Sequence, residues 1–236
     1  MSQAAERPAP QHKMPVAPRS GPGPSGEPRA RPTYAVVDVE TTGLDRRVHR
    51  VVECAVVVTD ATGDVLREWS SLVAIPGADE IGAGFVHGIT RAMLTGAPTF
   101  AELLPELVHQ LRGNVVVGHV LTFDLGHLAA EFERAGLALP DVKSASLCTR
   151  DLARAYLPPG PRSLAACCTA AGVPLTCAHT ALGDARAAAG LLRAFVDAGH
   201  AADWERCRSR AASVDWTGAF LHERTGNSRT APRPPG

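Results

Sequence analysis

The chain has 236 residues, 45% of them hydrophobic, and its 24 Lys+Arg balance 24 Asp+Glu. That length and apolar fraction support one globular domain with a full core plus some flexible sequence. Zero net charge leaves nucleic acid open as a partner, because an enzyme touching a few phosphates needs only a local basic patch; aromatic residues at 5% argue against a broad base-stacking platform.

Residues 1–32 are rich in Pro and Gly, with Arg7, Lys13, Arg19, Arg29 and Arg31 set against Glu6 and Glu27. Such a stretch buries too little apolar surface to offset its ordering entropy and is expected to be disordered, as a solubilising tail or a weak electrostatic tether. Glu6 and several prolines stand where a signal peptide would be apolar, and no run approaches the roughly 18 apolar residues of a membrane span. The expectation is a soluble cytoplasmic protein with no membrane partner. The six cysteines, Cys54, Cys148, Cys167, Cys168, Cys177 and Cys207, include no C-x-x-C pair and read as reduced thiols.

Tyr34 to Glu40 is apolar on both faces until its end, as a central strand should be. A turn at Thr41–Asp45 leads to a β-branched strand over Arg50–Asp60. Ala61–Asp64 is a tight hairpin turn, and Val65–Ile75 returns as a third strand. Helical spacing of Leu103, Leu104, Leu107, Val108 and Leu111 predicts a helix over Phe100–Arg112. A short buried strand follows at Asn114–Gly118, then a helix over Phe123–Ala135 stopped by Gly136. Ser144–Cys148 reads as a strand, and Asp151–Tyr156, Ser163–Ala171 and Asp184–Ala198 as helices. An antiparallel three-strand meander followed by alternating helices and strands is an α/β domain with a mixed sheet flanked by helices. The domain is expected over residues 33–198, with a C-terminal helix near Ala201–Ala212 and a flexible tail within 199–236. Trp204, Trp216 and Phe220 can pack on the domain or dock a partner.

Asp38 and Glu40 stand two apart, which puts both carboxylates on one face of the first strand at its C-terminal end. Burying two like charges side by side is costly unless something compensates, either exposure at a fraying strand end or a divalent cation between them. Asp124 follows a short strand and opens a helix, and His179-Thr-Ala-Leu-Gly-Asp184 leads into another. Each of these acids alone passes as a helix-start residue, and His179 alone as a surface histidine. Together they make a hydrolytic set. Four carboxylates can hold two hard cations such as Mg²⁺ or Mn²⁺, which stabilise both the attacking and leaving oxygens of a phosphodiester. A histidine can take the proton from the attacking water.

The segments Val37-Asp-Val-Glu-Thr-Thr-Gly-Leu44, Gly118-His-Val-Leu-Thr-Phe-Asp124 and His179-Thr-Ala-Leu-Gly-Asp-Ala185 resemble, in order and spacing, the three motifs of the DEDDh, or DnaQ-like, 3′→5′ exonucleases. That family includes the proofreading epsilon subunit of bacterial DNA polymerase III. The resemblance spans roughly Thr33–Ala198 and implies a ribonuclease H-like fold. It implies that Asp38, Glu40, Asp124 and Asp184 bind two metal ions, one shared by Asp38, Glu40 and Asp184 and the other resting mainly on Asp38 with support from Asp124. It makes His179 the general base. It places Thr41, Thr42 and Leu44, together with the Val86–Thr90 segment, beside the terminal nucleotide, Leu44 and Ile89 wedging against the last base and His119 and Phe123 nearby.

One departure stands out. The family's second motif usually reads His-Asn, whereas this chain has His119-Val120. Asparagine can hydrogen-bond a substrate strand and valine cannot, which touches substrate preference rather than the metal site. The resemblance implies release of nucleoside 5′-monophosphates from the 3′ end of DNA, in proofreading or repair. Trimming of RNA 3′ ends uses the same catalytic set, and recruitment of a polymerase or sliding clamp is a third reading. A phosphatase or zinc enzyme is not supported, because a phosphate-cradling loop, a cysteine nucleophile motif and a His/Cys ligand cluster are all missing.

Overall fold

A computed structural model describes residues 33–77 and 81–219. Strands β1 (Tyr34–Thr41), β2 (Val51–Thr59) and β3 (Val65–Leu72) form an antiparallel meander. Strands β4 (Val115–Gly118) and β5 (Ser146–Cys148) extend the sheet in parallel on the other side of β1, giving the order β3-β2-β1-β4-β5. The helices among the described residues are α1 (Gly84–His87), α2 (Phe100–Leu111), α3 (Leu121–Arg134), α4 (Thr149–Tyr156), α5 (Leu164–Ala171), α6 (Ala181–Asp197) and α7 (Glu205–Ala211).

The strands β1 and β2 are apolar on both faces because both faces are covered. Tyr34, Val36, Ala55 and Val57 pack with Leu191, Leu192 and Phe195 of α6. Ala35, Val37, Val39, Val56 and Val58 pack on the other side with Leu104 and Leu107 of α2 and Leu128 and Phe132 of α3. Burying each such side chain contributes roughly 1.5–3 kcal/mol. The alternation has a consequence for the acids. Asp38 and Glu40 continue the Tyr34–Val36 series, so the pleat turns both toward the α6 face where the strand runs out of apolar residues.

The starts of α3 and α6 depart from the sequence reading by two and three residues, whereas α2 begins at Phe100 as expected. Thr180 caps α6 by accepting the Gly183 N–H, so the helix begins at Ala181 and Asp184 lies within its first turn. Likewise α3 begins at Leu121 and already contains Asp124. At α2 a reciprocal box of Thr99 and Glu102 closes the N-terminus. The third strand ends at Leu72 instead of Ile75, with only an isolated bridge from Ala74 to Thr99 beyond it. The expected C-terminal helix is split into a 3-10 turn over His200–Trp204 and α7. Trp204 and Trp216 are both buried in the core, Trp204 edge-on to Tyr34 at 6.3 Å, so their bulk serves packing. Phe220 and the 1–32 segment lie outside the described residues. All six cysteines are free thiols, and none of the described helices is long and apolar enough to cross a membrane.

One ion pair ties the β1–β2 loop to α3. Glu131 is 1% exposed and receives Arg50 through Nε at 2.7 Å and Nη2 at 2.9 Å, the Val51 N–H at 3.2 Å and Arg134 at 3.2 Å. Arg134 also donates to the backbone carbonyls of Arg46 and Arg47 in the same loop. Removing the carboxylate strands Arg50 and a buried N–H together. Glu131→Ala is expected to lower the unfolding free energy by about 3 kcal/mol, read as a shift of the urea midpoint. A midpoint unchanged from wild type would show that this network does not hold the loop.

Candidate active site

The β-pleat delivers Asp38 and Glu40, and the first turn of α6 delivers Asp184. Carboxylate oxygens of these three residues all lie within 4.8 Å of one another. Asp124 stands beside this trio, buried at the start of α3, with its Oδ1 accepting the Val39 N–H at 3.2 Å. Glycine at 118 lets α3 approach: a Cβ there would sit 3.1 Å from the Val37 carbonyl and 2.9 Å from Leu121 Cδ1.

The electrostatics of the cluster are those of crowded like charges. Burial pushes the Asp38 carboxyl well above its usual range, and Asp124, Asp184, Glu40 and Glu53 push it further. Burial, then Asp184 and Glu53, raise Glu40 from 4.5 to about 8. Asp124 is raised by burial, with the Val39 N–H working the other way. Asp184 is raised by burial and pulled back by a hydrogen bond from the His179 backbone and by the nearby His179 ring. Such a set fits a divalent cation. Hard oxygen donors converge from three directions, and a positive charge would relieve the repulsion that now favours protons.

His179 is exposed beside Asp184, on a loop whose backbone is unusual. His179 has φ 64° and Cys177 φ 56°, both left-handed for residues other than glycine. The Thr180 hydroxyl closes the loop by donating to the Cys177 carbonyl at 2.8 Å while accepting from Gly183. Gly183 is required there, since a Cβ would fall 2.1 Å from the Cys177 carbonyl oxygen. The loop thus presents the imidazole to solvent at the edge of the acidic cluster.

The remaining sequence candidates take varied positions. Leu44 is 84% exposed, whereas Ile89 is 2% exposed and packs with Val52, Ile75 and Leu94, so its side chain is not presented at the surface. The Thr41 hydroxyl donates to the Gly43 carbonyl at 2.8 Å. That of Thr42 accepts the Arg50 N–H at 3.0 Å and lies 3.2 Å from His49 Nδ1, so both hydroxyls close the β1–β2 loop. His119 has both ring nitrogens engaged, Nδ1 with Thr149 Oγ1 at 3.0 Å and Nε2 with the Arg162 carbonyl at 3.0 Å. It pins the start of α4 and the loop before α5. Phe123 is half-buried against His127, with ring centroids 4.4 Å apart. One residue near the site was not singled out from the sequence. Glu53 is the one charge inside the apolar run of β2, buried and paired in register with Glu40.

An exonuclease family profile of the RNase T type matches residues 35–192. The chain belongs to this exonuclease family. It is 33% identical over 129 residues to the DNA polymerase III subunit epsilon of Aquifex aeolicus, covering 53% of this chain and 61% of that protein. It is 30% identical over 167 residues to the PolC-type DNA polymerase III of Thermotoga petrophila, covering 70% of this chain and 12% of the polymerase. The chain therefore spans only part of these relatives. Among solved structures it is similar to E. coli exonuclease I in complex with a dT13 oligonucleotide, with TM-score 0.62 at 18% identity, covering 70% of this chain and 41% of that one. It is also similar to the nuclease domain of 3′hExo, a DEDDh family member bound to rAMP, with TM-score 0.62 at 17% identity, covering 72% and 94%. These likenesses establish the ribonuclease H-like fold expected from the motifs.

The departure at Val120 acquires a structural meaning in this chain. Val120 is the N-cap of α3 with φ 64° and ψ 42° and makes no side-chain cap hydrogen bond. A β-branched residue in the left-handed region costs roughly 1–2 kcal/mol, and asparagine tolerates that conformation. Val120→Asn is expected to stabilise the protein by about 1 kcal/mol, measured as a higher urea midpoint. An unchanged or lower midpoint would show that packing of the valine outweighs its backbone strain.

The raised carboxyls make a second prediction. With Glu40 moved from 4.5 to about 8, the metal-free folded state holds protons that the unfolded chain has released across that window. Stability of the metal-free protein therefore falls as pH rises from about 4.5 to 8. A bound cation competes with those protons. The rise in melting temperature on adding Mg²⁺ or Mn²⁺ is expected to be larger near pH 8 than near pH 5 by calorimetry. Equal gains at both pH values would remove the link between these carboxyls and the cation.

Proposed function

We propose that this chain is a metal-dependent 3′→5′ exonuclease that hydrolyses phosphodiester bonds at the 3′ end of DNA and releases nucleoside 5′-monophosphates. The convergence of Asp38, Glu40 and Asp184 within 4.8 Å carries this reading, with His179 exposed at the edge of the cluster. Asp38, Glu40 and Asp184 would share one cation, and Asp38 with Asp124 a second, in each case Mg²⁺ or Mn²⁺. Bound there, the cations would neutralise phosphate charge and make a water more acidic. His179 accepts the proton of the attacking water, which its exposure beside Asp184 permits. Asp38 and Glu40 are held rigid by the sheet and fix the scissile phosphate's position relative to that base. Leu44, on the exposed rim, abuts the last base.

DNA as substrate is favoured by the replication polymerases among the relatives, an epsilon subunit and PolC-type enzymes. On the same ground the chain works with a DNA polymerase or sliding clamp in the cytoplasm, in proofreading or repair. A gel assay with matched 5′-labelled DNA and RNA oligonucleotides, single- and double-stranded, tests the reading. The expected result is a ladder shortening from the 3′ end of DNA, dependent on Mg²⁺ or Mn²⁺, abolished by EDTA and absent in Asp184→Ala. His179→Ala is expected to slow it by roughly 10²–10⁴-fold. Wild-type rates in Asp184→Ala would overturn the assignment, and a strong preference for RNA would move the substrate to RNA 3′ ends.

A further inference from the structure

Glu53 is a buried acid placed where electrostatics should forbid one. It is the third residue of β2, directly across from Glu40 in the β1–β2 register, on the face that also carries Asp38. Opposite residues of an antiparallel pair share a face with their Cβ atoms about 5 Å apart, and like charges there destabilise the sheet. Every neighbouring position of the strand, from Val51 to Val58, is apolar. A valine at 53 would suit the sheet better, so the carboxylate must be compensated by something specific.

That compensation comes from α6. Glu53 Oε2 accepts the backbone N–H of Ala181 at 2.9 Å. Ala181 is the first residue of the helix, and its N–H is one of the orphan donors that a helix start must satisfy from outside. The positive end of the helix dipole favours an anion at that position. Thr180 handles Gly183, and the Asp184 N–H returns to the Thr180 carbonyl at 3.0 Å. The first turn of α6 is therefore fastened both to its own cap and to β2 of the sheet. Asp184 lies three residues past the anchor, and His179 two residues before it.

We propose that Glu53 is a positioning residue for the active site: its hydrogen bond to Ala181 N–H sets the first turn of α6 against β1 and β2, and so fixes the distance of Asp184 from Asp38 and Glu40. The backbone positions of Asp38 and Glu40 keep a fixed spacing, because both ride on one strand. Asp184 comes from a separate element, whose N-terminal turn otherwise rests on its own Thr180 cap and on the packing of Ala181, Leu182 and Ala185. Repulsion among the acids acts to lift that turn away. A hydrogen bond from the sheet to the start of the helix opposes the displacement in the direction that matters.

This inference rests on the metal-dependent reading above, and its test reads the metal directly. Mn²⁺ binding to the full chain is measured by isothermal titration calorimetry in wild type, Glu53→Gln and Glu53→Ala, with a urea midpoint for each. Gln keeps an oxygen that can accept the Ala181 N–H; Ala removes it. Glu53→Ala is expected to weaken Mn²⁺ binding by about 10–100-fold while Glu53→Gln loses less than about tenfold. A Glu53→Ala protein that binds Mn²⁺ as well as wild type would overturn the proposal. So would a folded Glu53→Gln protein as impaired as Glu53→Ala, because the carboxylate charge, and not the hydrogen bond, would then be what the site needs. If Glu53→Ala does not fold, the Gln variant decides alone, retained binding supporting the anchor and lost binding overturning it. A wild-type chain that takes up no Mn²⁺ would instead remove the metal-dependent reading on which the anchor depends.

Discussion

Mutual repulsion among carboxylates at the open end of β1 is the force that the surrounding structure must withstand. Asp38, Glu40 and Asp184 converge within 4.8 Å, and Asp124 is buried beside them. Left free, such groups would separate into water, since each is raised by burial and most of them by its neighbours as well. The fold denies them that escape by different means. The strand holds two at the fixed period of the pleat. A backbone N–H of Val39 holds Asp124, and the capped first turn of α6 holds Asp184. Apolar layers cover both faces of β1 and β2, so the strain of assembling the acids is spread over a large core.

Backbone strain gathers at the same place. Of the four residues other than glycine with positive φ among the described residues, Val120, Cys177 and His179 lie in the two connections that deliver Asp124 and Asp184. Glycines are needed at Gly118 and Gly183, where a Cβ would meet backbone or side-chain atoms at 3.1 Å or less. A strand or helix can present an acid only along its own axis. Bringing acids from three elements to one point requires sharp turns immediately before two helices, and sharp turns are where left-handed residues collect. The strain at Val120 and His179 is thus a geometric consequence of where the acids must meet.

Much of this was legible in the sequence, and the parts that were not share a cause. The meander, the two parallel strands and most helices follow from apolar periodicity, because covered faces write themselves into the pattern of Val51–Val58 or Leu103–Leu111. The acids were legible because a carboxylate in an apolar strand, or just past a short buried strand, violates that pattern. Helix starts at Leu121 and Ala181 were missed by two or three residues, since the cap at Val120 has no side-chain signal and the one at Thr180 lies within a motif that reads as loop. Glu53 carried the same signal as Asp38, a lone charge in a buried strand, but its partner is a backbone N–H 128 positions away, and no local pattern announces a hydrogen bond across that separation. The placement of Ile89 in a small core cluster with Val52, Ile75 and Leu94 was likewise set by tertiary packing.

The rim of the site obeys a different logic from its floor. Thr41, Thr42 and His119 each have polar groups within hydrogen bonds internal to the chain, and Ile89 is covered. Their contribution is to shape the rim, closing the β1–β2 loop and tying α4 to the end of β4. The segment before α1 is seated on that loop so closely that a Cβ at Gly82 would lie 2.3 Å from the Thr42 carbonyl oxygen, and buried His87 accepts the Ile89 N–H to fix the turn that follows. The loop itself is pulled onto α3 by Arg50 and Arg134 meeting at Glu131. The rim is therefore built outward from the same two elements, β1 and α3, that carry Asp38, Glu40 and Asp124. A displacement of α3 would move an acid of the floor and the loop bearing Leu44 together, so the rim and the floor are one mechanical unit.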